Sequence, residues 1–334
     1  MKALLAPWER LCASSAVLRF VDINLRGVGQ VMFMDNPLSG LLFLVAIGWG
    51  SYAGGVPQVA TGGIVALLAS TVAAYWLDVD RTDLHAGLFG FNAYLVGLAL
   101  PTFLAPSPLL WLYVALGGAV SVVAMLAIAR VCKTWGVAAL TAPFVLITLL
   151  MLLAARAFAG FGTGALPVSA LITPIDPSAA NPLQFGDFVE GVLQSISQVF
   201  LKGNGLSAVL LVAGLAVNSI PAAVLAVAGA TVAVVTAHML GAEDALITGG
   251  LLGFSPLLTA IALGCVFYPP SLRVVLYALV GTVFTVILQG AMNLAFMPFG
   301  LPALTAPFVV ATWLFLLPGL QLKATSAVPV KATS

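Results

Sequence analysis

The chain has 334 residues, of which 62% are apolar and 7% charged, with a mean hydropathy of +1.15 and a formal net charge of +1. Soluble domains carry about 25% charged residues, so a water-facing surface over most of this chain is excluded and lipid must be its solvent. Nucleic acid is excluded as a partner, because that binding needs clustered Lys and Arg. The cysteines, Cys12, Cys132 and Cys265, stand too far apart to read as a metal or redox motif.

Along the chain, the first 30 residues do not read as a signal peptide, since Glu9, Arg10, Arg19, Asp22 and Arg26 interrupt any apolar core. Beyond them, Asp, Glu, Lys and Arg are absent from 36–77, 84–129, 203–242 and 274–322. A helix needs about 20 apolar residues to cross the hydrocarbon, so each of these stretches predicts two spans joined by a turn. The ten apolar segments read as 38–57, 60–77, 86–105, 108–129, 134–155, 206–221, 222–238, 245–268, 273–292 and 298–318. Turn signals such as Gly54-Gly55-Val56-Pro57, Pro106-Ser107-Pro108 and Tyr268-Pro269-Pro270 separate most of them. With the N-terminus in the cytoplasm, ten of the twelve Lys and Arg residues fall inside and only Arg156 and Lys202 outside, a clear positive-inside bias. Both termini are then cytoplasmic.

The sequence also repeats itself. Leu140-Thr141-Ala142-Pro143-Phe144-Val145 returns unchanged as Leu304-Thr305-Ala306-Pro307-Phe308-Val309, 164 positions later. Gly87-Leu88-Phe89-Gly90-Phe91-Asn92 returns as Gly250-Leu251-Leu252-Gly253-Phe254-Ser255, and Gln30-Val31-Met32-Phe33 as Gln198-Val199-Phe200-Leu201. The order is kept at nearly one offset, so the chain holds two copies of one unit. Five spans per copy is an odd number, which predicts inverted insertion of the second copy. The expected fold is an all-α integral membrane protein with about ten transmembrane helices in two inverted repeats of five, with two half-spanning re-entrant helices around a central pore. The expected parts are a first repeat at 1–165, an extracellular linker at 166–184, a second repeat at 185–320 and a polar C-terminal tail at 321–334.

The duplicated blocks carry the chemistry. Pro143 and Pro307 lie in apolar runs, where a proline inside a helix frees the carbonyl four residues earlier. At membrane depth such a carbonyl must be buried in protein or line a wet cavity. With the hydroxyls of Thr141 and Thr305 two residues before each proline, oxygen acceptors from both halves would stand at mid-depth. Glycines three apart at Gly87 and Gly250 allow close backbone packing. Phe91 and Leu95, like Phe254 and Leu258, share a helix face. Gln30 and Gln198 end short segments that read as half-helices, and their neutral amides both donate and accept. No acid or base stands within the duplicated blocks at the expected depth, as coupling to protons or sodium usually requires. A small, flat, neutral, polar solute suits such a pore, and conduction would be passive.

Arg26-Gly27-Val28-Gly29-Gln30-Val31-Met32-Phe33, leading to Asn36-Pro37-Leu38-Ser39-Gly40, together with Gly87–Asn92 and the two Leu-Thr-Ala-Pro-Phe blocks, resembles the urea transporter family over about residues 20–318. The resemblance implies urea as solute, a homotrimer with one pore per subunit, and two urea sites flanking a narrow middle. One site would draw on Gln30, Phe33, Phe91, Leu95 and Val199, the other on Gln198, Leu201, Phe254, Leu258 and Val31, with Thr141 and Thr305 between them. Leu201, Gly205 and Ser255 depart from Phe33, Pro37 and Asn92 in the other half, so the two sites are not expected to be identical. No cofactor and no metal is called for, and the partners are urea, membrane lipid and further copies of the chain.

Three rival readings compete. An ammonium or small-amide channel would use paired histidines, but His85 and His238 are not repeat-equivalent. An ion-coupled secondary transporter would use intramembrane charges. A membrane enzyme would have to use the cluster Asp78, Asp80, Arg81 and Asp83 or the pair Asp187 and Glu190, neither of which recurs between halves, so a solvated loop is the expectation and catalysis is not. Short loops and the lack of Asn-X-Ser/Thr favour a bacterial inner membrane, crossed many times.

Overall fold

The computed structural model describes residues 2–162, 164–172 and 182–322, so the tail from 323 and two of the linker's four prolines, Pro174 and Pro177, lie outside the described residues. The first half comprises α1 (Lys2–Ser14), α2 (Ala16–Gln30), α3 (Pro37–Ala53), α4 (Pro57–Trp76), α5 (Arg81–His85), α6 (Phe91–Phe103), α7 (Pro108–Thr134) and α8 (Ala142–Ala155). The second comprises α9 (Phe185–Ser197), α10 (Gly205–Asn218), α11 (Ile220–Met239), α12 (Asp244–Thr248), α13 (Phe254–Ile261), α14 (Leu272–Phe296) and α15 (Ala306–Leu316). From α2 and α9 onward the two halves match element for element, and α1 stands outside the match.

Among the described residues, four helices are long and apolar enough to cross a membrane: Pro57–Trp76, Pro108–Thr134, Ile220–Met239 and the α14 run Leu272–Phe299. Only 33–44% of each window is buried, so most of each presents apolar side chains outward, as lipid requires. Five further apolar helices are shorter than the expected spans: Pro37–Ala53, Phe91–Phe103, Ala142–Ala155, Phe254–Val266 and Ala306–Leu316. Residues 86–90 and 135–140, expected inside spans, instead form turns around Gly87 (φ +76), Gly136 (φ +69) and Leu140 (φ +54). The half-helix expectation has its counterpart where α9, extended by Gln198–Phe200, meets α10 at a 70° bend.

The same unusual backbone recurs in both halves. Left-handed φ values pair Phe33 with Leu201, Asp78 with Gly241, Gly87 with Gly250, Gly136 with Gly300, and Leu140 with Leu304. Side chains cap matching helix starts: Asn36 Oδ1 accepts from Leu38 N at 2.8 Å, and Asn204 Oδ1 from Ser207 N at 3.0 Å. Ser107 Oγ and Ser271 Oγ cap α7 and α14 in the same way.

Helices α3 and α10, which are repeat-equivalent, pack against each other in opposite directions. Asn36 at the start of α3 meets Asn218 at the end of α10 (Nδ2 to Oδ1, 3.4 Å), while Gly50 near the end of α3 faces Asn204 and Ser207 at the start of α10. Ser207 Oγ donates to the Ala46 carbonyl at 2.7 Å, and Gly214 lies against the Phe43 ring. One hydrophobic cluster therefore runs through both halves, from Val28 to Val309.

The charge cluster between α4 and α6 is structural. Arg81 pairs with Asp78 at 3.0 Å, and Asp80 Oδ1 accepts from Thr82 N and Asp83 N at 2.8 and 3.0 Å, capping α5. The Asp83 and Thr82 N–H groups hold the Asp80 carboxyl below its ordinary range.

Candidate functional site

Pro143 and Pro307 do not kink helices, as the apolar runs around them led one to expect. Each stands in the first turn of its helix, where the missing N–H is one of the orphan donors anyway. Thr141 and Thr305 are thus the residues on which α8 and α15 begin, with nearly identical backbone angles (φ −91, ψ 16 and 15). Neither hydroxyl caps its own helix. They meet each other instead: Oγ1 to Oγ1 is 2.7 Å, with each residue only 3% exposed. Two helix starts from opposite halves converge on one pair of hydroxyls. The pair spends one of its two hydrogens internally and keeps one O–H and several lone pairs to offer.

On one side of this pair lies a cavity of about 480 Å³, lined from the first half by Gln30, Val31, Phe33, Leu88, Phe91 and Thr141, with Lys133 among its lining residues. The second half contributes Val266, Phe267 and Phe308. Phe33 meets Phe267 edge-on at 6.1 Å and Phe308 at 6.2 Å between ring centres, so three rings wall the approach to Thr141. Phe33 holds its place from a left-handed backbone (φ 64), an arrangement that costs about 1–3 kcal/mol. Arg26 pins the turn that follows, with Nη1 2.6 Å from Asp35 Oδ1 and Nε 2.9 Å from the buried Asp22 carboxylate. Trp8 Nε1 donates to the same carboxylate at 2.7 Å and so ties α1 to α2.

Gln30 does less than a free amide could. Its Nε2 donates to the Ala86 carbonyl at 2.9 Å, as Gln198 Nε2 does to the Gly249 carbonyl at 3.2 Å. Both carbonyls precede a left-handed glycine, Gly87 or Gly250, whose Cβ-free surface lets α2 or α9 press against the backbone. One N–H of each glutamine is committed, which leaves Oε1 and the second N–H to offer.

The sequence-expected residues fall into two groups. Gln30, Val31, Phe33, Phe91 and Thr141 line one cavity, so Val31 falls beside Gln30 and not in the site of Gln198, while Leu95 and Val199 are not among the residues that line it. Leu95, Val199 and Leu258 are buried within the common core, and Leu201 and Phe254 pack on it half-buried. Phe267 and Phe308 were not anticipated. Both were legible: Phe308 closes the second Leu-Thr-Ala-Pro-Phe block, and Phe267 aligns with Phe103 at the offset of 164 that also pairs Pro106 with Pro270 and Ser107 with Ser271. On the other side of the threonine pair, Gln289 and Asn293 occupy the positions where the first cavity has Met125 and Ala129; Gln289 Nε2 donates to Asn293 Oδ1 at 3.0 Å. His85 and His238 lie on α5 and near the end of α11, away from this cavity.

Apolar helices around an aromatic-walled cavity that ends on paired hydroxyls fit a membrane solute transporter, and residues 21–319 match the urea transporter family model, so the chain belongs to that family. It is 30% identical over 306 residues to urea transporter 1 of sheep (Ovis aries), goat (Capra hircus) and rat (Rattus norvegicus). Each alignment covers 90% of this chain and 77% of the relative.

Proposed function

We propose that this chain conducts urea passively across a membrane, down its gradient and without chemical transformation. The observation that carries the reading is the meeting of Thr141 and Thr305 at 2.7 Å at the inner end of a cavity walled by Phe33, Phe91, Phe267 and Phe308 and free of carboxylates. Urea is flat, which suits a slot between rings, and its N–H groups need oxygen acceptors in place of water. Gln30 Oε1 supplies one at the mouth and the threonine hydroxyls supply the next. On the other side Gln198, Leu201, Phe254 and Leu258 form the matching site, and the solute leaves past Gln198.

Cations are disfavoured by the same arrangement. The N-termini of α8 and α15 both point at the threonine pair, each carrying roughly half a positive elementary charge. The approach is charged only by Lys133 among the residues lining the cavity. Protonated solutes meet repulsion there, and no carboxylate lines the cavity to compensate it.

The antiparallel contact of α3 with α10 supports two inverted repeats, 1–165 and 185–320, with ten membrane-crossing or half-crossing helices and an outer linker at 166–184. The charge bias supports cytoplasmic termini in a bacterial inner membrane, and family membership supports a homotrimer. In sealed vesicles, urea entry is expected to saturate, to follow the urea gradient alone, and to persist without sodium and with the proton gradient collapsed. Urea accumulation against its gradient, driven by an imposed proton gradient, would instead establish ion coupling.

A further inference from the structure

Asn92 does not line the cavity, yet it grips the turn that presents Thr141. It stands beside Phe91 in the first turn of α6 and is 1% exposed. Its Oδ1 accepts from Phe144 N at 3.0 Å, and its Nδ2 donates to the Leu140 carbonyl at 3.4 Å. One amide therefore holds the chain on both sides of Thr141. Phe144 N–H is a first-turn amide of α8 with no carbonyl of its own helix to meet. Leu140 is the left-handed residue of the turn (φ +54), a conformation that persists only where its surroundings impose it. Nδ2 also lies 3.7 Å from Met125 Sδ on α7.

The second half lacks this device. Ser255 occupies the equivalent position on α13, and its buried Oγ makes no hydrogen bond. The contacts Leu263 with Gly281 and Thr259 with Thr285 step along α13 and α14 one turn at a time. Gln289 on α14 likewise has a buried Oε1 without a partner. A serine is two heavy atoms shorter than an asparagine and cannot span from Leu304 to Phe308 as Asn92 spans from Leu140 to Phe144. Leu304 keeps the same left-handed backbone (φ +51) without a side-chain clamp among the described residues.

We propose that Asn92 is a positioning residue that sets solute selectivity by fixing the Leu140–Thr141 turn, and that the constriction is held by a side-chain clamp from the first half only. The inference rests on reading the threonine pair as the narrow point of the pore. Without the clamp, the Leu140–Thr141 turn loses the side chain that fixes its position against α6, the Thr141 hydroxyl moves off Thr305, and discrimination by solute size weakens.

The test uses the purified intact protein in sealed vesicles and measures flux per molecule for urea and for the bulkier methylurea. The variants are Asn92→Ser, Asn92→Leu and Ser255→Ala, with Thr141→Val/Thr305→Val as the check on the pore itself. Asn92→Ser and Asn92→Leu are expected to lower urea flux about tenfold, the effect of one ordinary hydrogen bond. They should shift the urea-to-methylurea ratio about threefold or more toward methylurea, with half-saturation changed less than about twofold. Ser255→Ala should keep both flux and ratio. A fixed ratio in Asn92→Ser overturns the proposal whether or not flux falls, because a loss common to both solutes reports damaged protein. Should Asn92→Leu fail to assemble, Asn92→Ser decides alone. If the double threonine variant keeps wild-type flux, the pore assignment itself fails; if only that variant changes the ratio, Asn92 is not the positioning residue.

Discussion

Replacing Thr141 and Thr305 by valine, singly and together, exchanges a hydroxyl for a methyl of nearly the same size and so probes the hydroxyl pair with little change of shape. The two Oγ1 atoms are 2.7 Å apart and each residue is 3% exposed, so neither hydroxyl has bulk water to turn to. A single substitution strands the remaining hydroxyl at a cost of about 1–3 kcal/mol, whereas removing both partners together is close to neutral. Stability should therefore fall in each single variant and recover in the double, an order that surface or packing effects would not produce. Flux should behave differently. Each hydroxyl lost removes a hydrogen bond offered to urea where it is stripped of water, worth about tenfold in rate. The double variant should lose between about tenfold and a hundredfold, less than the product of the singles because the two groups share one bond. Stopped-flow urea flux in vesicles measures the rate, and thermal unfolding in detergent measures stability. Wild-type flux in the double variant, with single variants no less stable than the double, would refute both the pairing and its role.

Other expectations follow from the same geometry. Gln30→Leu removes the acceptor at the mouth and orphans the Ala86 carbonyl; half-saturation for urea should rise about fivefold or more, measured from the concentration dependence of flux. Gly87→Ala and Gly250→Ala would each drive a Cβ into the backbone of α2 or α9 from a left-handed φ, and should lower the yield of folded protein severely, as seen in the monodisperse fraction after purification. Removing sodium or collapsing the proton gradient should leave initial urea entry unchanged. Asp80, held below the ordinary carboxylate range by the Asp83 and Thr82 amides, stabilises α5 above its unfolded-state value near pH 3.9, and that contribution is lost as pH falls through the lower folded value. Asp80→Asn should flatten the acid limb of a pH-dependent unfolding curve.

Sequence alone settled the solvent, the duplication and most of one wall of the site. Apolar runs without charge announce lipid because hydration cannot be replaced inside them, and a repeated Leu-Thr-Ala-Pro-Phe block announces a repeated position whatever its geometry. Gln30, Phe33, Phe91 and Thr141 were readable for that reason and lie around one cavity. What the letters could not say is how the backbone turns at those blocks. Pro143 in an apolar run reads as a kink, but the left-handed Leu140 ends the preceding segment first, so the proline opens a helix instead. Composition treats Gln30 as donor and acceptor alike; only the Ala86 carbonyl at 2.9 Å shows that one of its N–H groups is spent on the fold. The place of Phe267 against Phe33, and the grip of Asn92 on the Thr141 turn, depend on which segments meet in space. Pairwise contact between residues far apart in the chain is decided by the packing of whole helices, and no local pattern records it.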